Sequence, residues 1–235
     1  MGKNRRARGI GLALALLFCT GCGGPVPVSG EVLAPAEKLV ALTFDDGPRR
    51  ETTEALLDGL QDRSVTATFF LIGEQIPGQE DLVQRMAREG HQIGNHTWSH
   101  ARLSEEDRAA VLEEIGRGDR MLRQTLGEGD YWLRPPYGLL EGIGGIEVPI
   151  IRWSVDPRDW ESRDADAVTD HVLRHVEPGD IVLLHDIYPS SVEAALRIVD
   201  QLQAQGYRFV TVRQLLEIYG VEAQAGRSYS QGPQI

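Results

Sequence analysis

The sequence predicts a single α/β domain, a parallel sheet covered by helices, carried behind an N-terminal export signal. Three observations predict it. Residues 39–44, apolar except for Thr43, and residues 181–184 have the composition of strands buried on both faces. Segments with apolar residues at helical spacing lie between such runs, the alternation expected of parallel sheets. The chain has 235 residues, enough for one sizeable core.

Taken in order, residues 1–21 have the parts of a secretion signal. Lys3, Arg5, Arg6 and Arg8 form a basic start, residues 10–18 are an apolar run, and small residues follow at Thr20 and Gly21. The run is shorter than the roughly 20 residues needed to span a bilayer. Thr20-Gly21-Cys22 resembles the end of a bacterial lipoprotein signal, in which Cys22 becomes the lipidated first residue. Cys19 stands three positions earlier, where such signals carry a branched aliphatic residue. The chain has no other cysteines, so the folded domain has no disulfide. The expectation is an exported protein, either lipid-anchored on the outer face of the cytoplasmic membrane or secreted to the cell wall. Its only membrane contact is the anchor. Residues 22–37, rich in Gly and Pro, read as a flexible linker.

The domain is expected over residues 38–219. Strands are predicted at 39–44, 65–72, 91–94, 148–155, 181–184 and 208–212, and helices at 53–62, 81–89, 165–175, 192–205 and 215–219. Ser104 with Asp107 resembles a capping box that opens a helix running to Leu126. Residues 220–235, rich in Gly, Ser and Gln, read as a disordered tail.

The net charge is −11. Residues 1–21 hold four of the 24 basic side chains and no acid, so removing them leaves 20 basic against 35 acidic. Such a surface repels phosphate backbones and excludes nucleic acid as a partner, whereas a neutral polysaccharide is not repelled. A monomer is expected.

Five short motifs fall just after apolar runs, where parallel α/β folds gather reactive groups. The first is Thr43-Phe44-Asp45-Asp46-Gly47-Pro48. Adjacent carboxylates repel, so both stay ionised only beside a cation or base; the plainer reading is a solvated Asp-Gly turn. The second, His96-Thr97-Trp98-Ser99-His100, can turn two imidazoles toward one centre from a helical turn or a folded loop. Asp46, His96 and His100 would form a two-histidine, one-carboxylate metal site with positions left open for water. Arg134-Pro135-Pro136-Tyr137, then Asp156-Pro157-Arg158-Asp159-Trp160, then Leu183-Leu184-His185-Asp186 complete the set. Each alone reads equally well as a turn, a surface acid or a strand-end histidine.

Together and in this order the five resemble the signature segments of the polysaccharide deacetylases, carbohydrate esterase family four, over residues 38–216. The resemblance implies a distorted (β/α)7-type barrel. It implies Asp46, His96 and His100 as ligands of one divalent ion, Zn²⁺ first with Co²⁺, Ni²⁺ or Mn²⁺ also suited. Asp45 resembles the general base and Arg134 the arginine that pairs with it. The backbone N–H of Tyr137 stands where the oxyanion is held, and Tyr137 also contacts substrate. Asp159 resembles the carboxylate that orients the acid, His185, while Trp160 and Leu183 resemble the wall around the acetyl methyl. The partner implied is an acetylated polysaccharide, with N-acetylglucosamine of peptidoglycan or chitin-like oligomers first. The alternatives are an O-acetyl esterase on xylan or exopolysaccharide and a silent carbohydrate-binding relative.

One departure stands out. The stretch from Tyr137 to Asp156 is about five residues shorter than the family pattern and Gly-rich, so its helix is expected to shrink to a turn. His91, His171 and His175 match no motif and read as packing or surface histidines. Asp156 and Asp186 read as structural neighbours of the reacting groups.

Overall fold

In a computed structural model, residues 37–139 and 145–233 are described. The expected export signal, Cys22 and nearly all of the linker lie outside them. So do residues 140–144 of the short stretch that follows Tyr137.

Strand β1 (Lys38–Asp45) organises the sheet. It pairs in parallel with β2 (Thr68–Leu71), β5 (Ile181–His185) and, at its start, β6 (Tyr207–Phe209); β2 in turn pairs with β3 (Gln92–Asn95). Parallel bridges continue from Asn95 to Leu133, from Leu133 to Ile150 of β4 (Ile150–Ile151), and from Val155 back to Val182 of β5.

Side-chain alternation sorts the core into two clusters. Val40, Leu42 and Phe44 of β1, Phe69 and Leu71 of β2, and Val182 and Leu184 of β5 face the helices. Against them pack α1 (Arg50–Asp62) through Leu56, Leu57 and Leu60, and α2 (Glu80–Arg88) through Leu82, Val83 and Met86. Also there are α3 (Arg108–Leu126) through Leu122, α5 (Ala165–His175) through Val168 and Val172, and α6 (Pro189–Ala204) through Ile198, Val199 and Leu202. The opposite faces of the strands put Leu39, Ala41, Phe70, Ile151 and Ile181 in a second cluster, joined by Leu215 and Leu216 of α7 (Val212–Ile218). On that second face β1 reads Leu39, Ala41, Thr43, Asp45. It is apolar at the strand's start and polar at its end, which aims the carboxylate at the C-terminal rim of the sheet.

Three expectations need correction. Asp107, not Ser104, caps α3: its side chain accepts from the N–H of Ala110, while Ser104 sits in a separate 3₁₀ turn, Leu103–Glu105. The strand expected at 148–155 is a ladder of two residues. Ser154 and Val155 both direct N–H groups at the Ile181 carbonyl, 3.0 and 3.3 Å away, and such a bulge breaks the ladder. Most of the supposed tail is built into the fold. Residues Ser228–Tyr229 form β7, parallel to β4, and Gly232 donates to the Gly179 carbonyl at 2.7 Å. Val221, Ala223 and Tyr229 pack on the second cluster, apolar contacts that composition alone did not weigh. Helix α4 (Asp159–Ser162) was not expected either.

Candidate active site

All five motifs meet at the C-terminal ends of the strands. Asp45 ends β1, in register with Phe70 of β2 and His185 of β5. Asp46 follows with φ 72, and left-handed backbone recurs at Thr97 (φ 68), His100 (φ 60) and Tyr137 (φ 60). Non-glycine residues held this way cost about 1 kcal/mol or more each and persist where surrounding structure fixes them. His96 and His100 belong to a folded loop, not a helical turn. Asn95 fixes that loop: its amide donates to the Ile115 carbonyl and its Oδ1 accepts from the N–H of Thr97, both at 2.9 Å.

Asp46 Oδ1 lies 3.4 Å from His96 Nε2 and 3.3 Å from His100 Nε2. The ligand atoms of the three residues fall within 4.8 Å of one another. His96 Nδ1 is 2.7 Å from the Arg134 carbonyl, which can only accept, so the proton sits on Nδ1 and the Nε2 lone pair of neutral His96 points at Asp46. Asp46 Oδ1 is buried and accepts no hydrogen bond. A buried carboxylate oxygen facing imidazole lone pairs is the donor set a divalent cation requires, so these residues fit a metal. Burial alone raises the pKa of Asp46, but His96, His185 and His100 hold it down, to about 2. At His96 burial opposes the imidazolium; Asp45 and Asp46 outweigh it and raise the pKa. A proton and a metal cation therefore compete for the same place.

Asp45 is tied down on one side only. Arg134, fully buried, donates from Nη1 to Asp45 Oδ1 at 2.8 Å and to Thr43 Oγ1 at 2.7 Å, and from Nη2 to the Arg152 carbonyl at 2.9 Å. Its guanidinium lies over the Phe70 ring, 4.2 Å from the centroid. Burial lowers its pKa against the pull of Asp45. The Thr43 hydroxyl in turn donates to the Val182 carbonyl at 2.7 Å. Asp45 Oδ2 is left on the side of His96, 3.6 Å from Nε2.

Across the cavity, His185 donates from Nδ1 to Asp159 Oδ1 at 2.8 Å, and its backbone N–H donates to Asp159 Oδ2 at the same distance. Nε2 is thereby presented to the cavity, 4.0 Å from Asp46 Oδ2. Burial works against the imidazolium, but Asp159, then Asp45 and Asp46, raise the pKa to about 9. The cavity, about 340 Å³, is lined by Asp45, Asp46, His96, His100, Tyr137, Trp160, Leu183 and His185, together with Trp153, Asp156 and Tyr188. Tyr137 is half exposed, its ring 4.9 Å from that of His100. Its turn is closed by the N–H groups of Gly138 and Leu139, bonded to Pro135 and Pro136, so its own N–H is not spent there.

Sequence reasoning did not single out Thr43, Asn95, Trp153 or Tyr188. A lone hydroxyl in an apolar strand was a usable sign for Thr43. Asp186, fully buried, bonds to the Thr53 hydroxyl and presses on Gly47, where a Cβ would fall 2.6 Å from its oxygens. Burial pushes its pKa up to about 7. His91 is a packing histidine: Nδ1 accepts from the N–H of Ala67 at 3.0 Å, and burial lowers its pKa to about 4.

Comparison with known proteins matches this geometry to one group. The family model described as polysaccharide deacetylase matches residues 33–142. A peptidoglycan-N-acetylglucosamine deacetylase of Listeria monocytogenes is 38% identical over 83% of this chain and 42% of its own length. This chain thus spans about two-fifths of that relative. A second protein of that description, from Bacillus cereus, is 38% identical over 76% of this chain and 68% of its own. Among solved structures, a family 4 acetyl xylan esterase of Clostridium thermocellum, in complex with a cobalt ion, superposes with a TM-score of 0.79 at 30% identity, covering 84% of this chain and all of that one. With the matched segments carrying the Asp45-Asp46 pair, the two-histidine loop and Arg134, and with relatives aligned across most of the domain, the chain belongs to the polysaccharide deacetylase family.

Proposed function

We propose that this domain is a metal-dependent hydrolase that removes acetyl groups from an N-acetylated polysaccharide, with N-acetylglucosamine of peptidoglycan or chitin-like oligomers as the sugar attacked. The observation that carries the reading is the arrangement around one cavity. An unpartnered Asp46 oxygen faces two imidazoles, a second carboxylate is held from behind by Arg134, and a histidine is held from behind by Asp159.

Asp46, His96 and His100 would hold the cation, with Zn²⁺ first by ligand chemistry and Co²⁺, Ni²⁺ or Mn²⁺ also accommodated. Such an ion supplies Lewis acidity toward water and the acetyl carbonyl. Asp45, its Oδ1 occupied by Arg134, takes the proton of the attacking water on Oδ2. The N–H of Tyr137 donates to the developing oxyanion. His185, protonated at neutral pH because Asp159 shares its Nδ1 proton, delivers the Nε2 proton to the departing amine. Leu183 and Trp160 enclose the acetyl methyl. The products are acetate and a free amine on the sugar.

The same reading takes the fold as a distorted (β/α)7-type barrel, supported by the run of parallel bridges that leaves β1 through β2 and returns through β5. It takes the chain as exported, with Cys22 as a lipid anchor, supported by the sequence of residues 1–22. A Cys22→Ser variant should then leave the membrane fraction; wild-type protein found wholly soluble outside the cell argues against the anchor.

The test of function is acetate release from N-acetylated glucosamine oligomers, peptidoglycan strands and acetylated xylan, before and after chelation. The reading requires metal-restored release from the N-acetylated substrates. Release from xylan alone would make the enzyme an O-acetyl esterase, and release from none would leave a binding module.

A further inference from the structure

The arginines of this acidic chain are mostly engaged by acids. Arg50 reaches Asp81, Arg63 reaches Asp200, Arg85 reaches Asp58 and Arg197 reaches Asp166. Arg163 differs. It follows α4 in left-handed conformation (φ 50) and is exposed. Its guanidinium lies over the ring of Tyr188, 4.4 Å from the centroid, and its Nε donates to the Trp160 carbonyl at 3.4 Å. Among the described residues no carboxylate pairs with it. The acids nearest in sequence are committed elsewhere: Glu161 pairs with Arg158, and Asp164 Oδ1 caps α5 by accepting from Asp166 and Ala167.

Tyr188 and Trp160, the two residues Arg163 rests on, both line the cavity that contains Asp45 and His185. A guanidinium stacked on a ring has its face covered and keeps its edge N–H groups for a planar anion, the geometry that suits a carboxylate. A chain with 35 acidic residues gains nothing from approaching an anionic polymer, unless positive charge is placed where the polymer must pass.

We propose that Arg163, seated on Tyr188, is a subsite for a carboxylate carried on the sugar unit next to the one being deacetylated. The substrate class is then an N-acetylated glycan with carboxylate substituents, not a neutral one. This rests on the deacetylase reading above. The subsite acts in ground-state capture and in the transition state alike, so its effect falls on KM.

The test uses the full chain with metal restored and three substrates of equal length: a neutral N-acetylglucosamine oligomer, a glycan strand whose alternate sugars carry carboxylates, and that strand with its carboxylates amidated. For the wild type, kcat/KM on the carboxylate strand should exceed that on the amidated strand by about 5- to 20-fold, the range of one charge-assisted contact at a rim. Arg163→Met, which keeps the apolar stem, should bring that ratio near one through KM. Arg163→Lys should restore part of it, and added salt should weaken the wild-type preference. An unchanged ratio in Arg163→Met, or no effect of amidation on the wild type, overturns the subsite. Acetate release from none of the three substrates overturns the deacetylase reading instead.

Discussion

Asp45 and Asp46 are adjacent in sequence and face different neighbours. Asp46 turns away from β1 with φ 72 toward three histidines, whereas Asp45 stays in the strand and is gripped by Arg134. Asp45→Asn should therefore keep one bound ion per chain and lose about 10²–10⁴-fold in kcat/KM. Asp46→Ala should lose the ion as well. Metal analysis beside acetate release distinguishes them, and an Asp45→Asn protein without metal would contradict the division. A second residue-scale prediction concerns His91, whose folded pKa of about 4 lies below its ordinary 6.5. A depressed histidine binds fewer protons folded than unfolded, so its stabilisation is full above 6.5 and is lost as pH falls toward 4. Between pH 7 and about 4.5 the wild type should lose about 2–3 kcal/mol more than His91→Gln, which can still accept from Ala67. Equal losses in denaturant titrations would show that His91 is not the group responsible. The side chains that meet around the cavity, Asp45, Asp46, His96, His100 and His185, were legible in sequence because the five ordered motifs carry them. Asn95 and Tyr188 were not, because a positioning amide or a lining ring becomes recognisable only once a cavity exists.

Among the elements, the loop from Asn95 to His100 depends on the approach of α3. A Cβ on Gly118 would lie 2.2 Å from Asn95 Oδ1 and 3.0 Å from the backbone of Thr97. Gly118→Ala should push the loop, at a cost of about 1–3 kcal/mol, and weaken metal binding although residue 118 touches no ligand. Calorimetric metal titration checks this; unchanged affinity would mean that the loop is held by other contacts. The longer helices could be read from the spacing of their apolar residues, and the strands β1, β2 and β5 from apolar and β-branched runs, since both of their faces serve apolar clusters. The short ladder of β4 and the cap of α3 could not. Where a strand breaks depends on two N–H groups competing for the Ile181 carbonyl, and a cap depends on which of two suitable residues meets the helix axis.

For the molecule as a whole, residues 221–233 are the largest departure from expectation. Polar composition predicted disorder, yet β7 pairs with β4 and Tyr229 adds to the core. A chain ending at Gly220 should lose about 2 kcal/mol or more, since it removes a partly buried aromatic as well as ladder bonds. An unchanged melting temperature would return the segment to the status of a tail. Charge also acts at this scale. A net of −11 disfavours anionic polymers in general, which leaves recognition to local features such as Arg163.

The central claim, that Asp45 activates water while His185 protonates the leaving group, is tested most directly by varying that leaving group. An amine departs poorly without a proton, whereas an activated aryl oxide does not need one. The measurement is kcat/KM of metal-replete wild type, Asp45→Asn and His185→Ala on an N-acetylated sugar oligomer and on an aryl acetate. The account predicts that Asp45→Asn is impaired on both substrates and that His185→Ala is impaired far more on the sugar amide. Equal impairment of His185→Ala on both would contradict it and move that histidine to oxyanion binding.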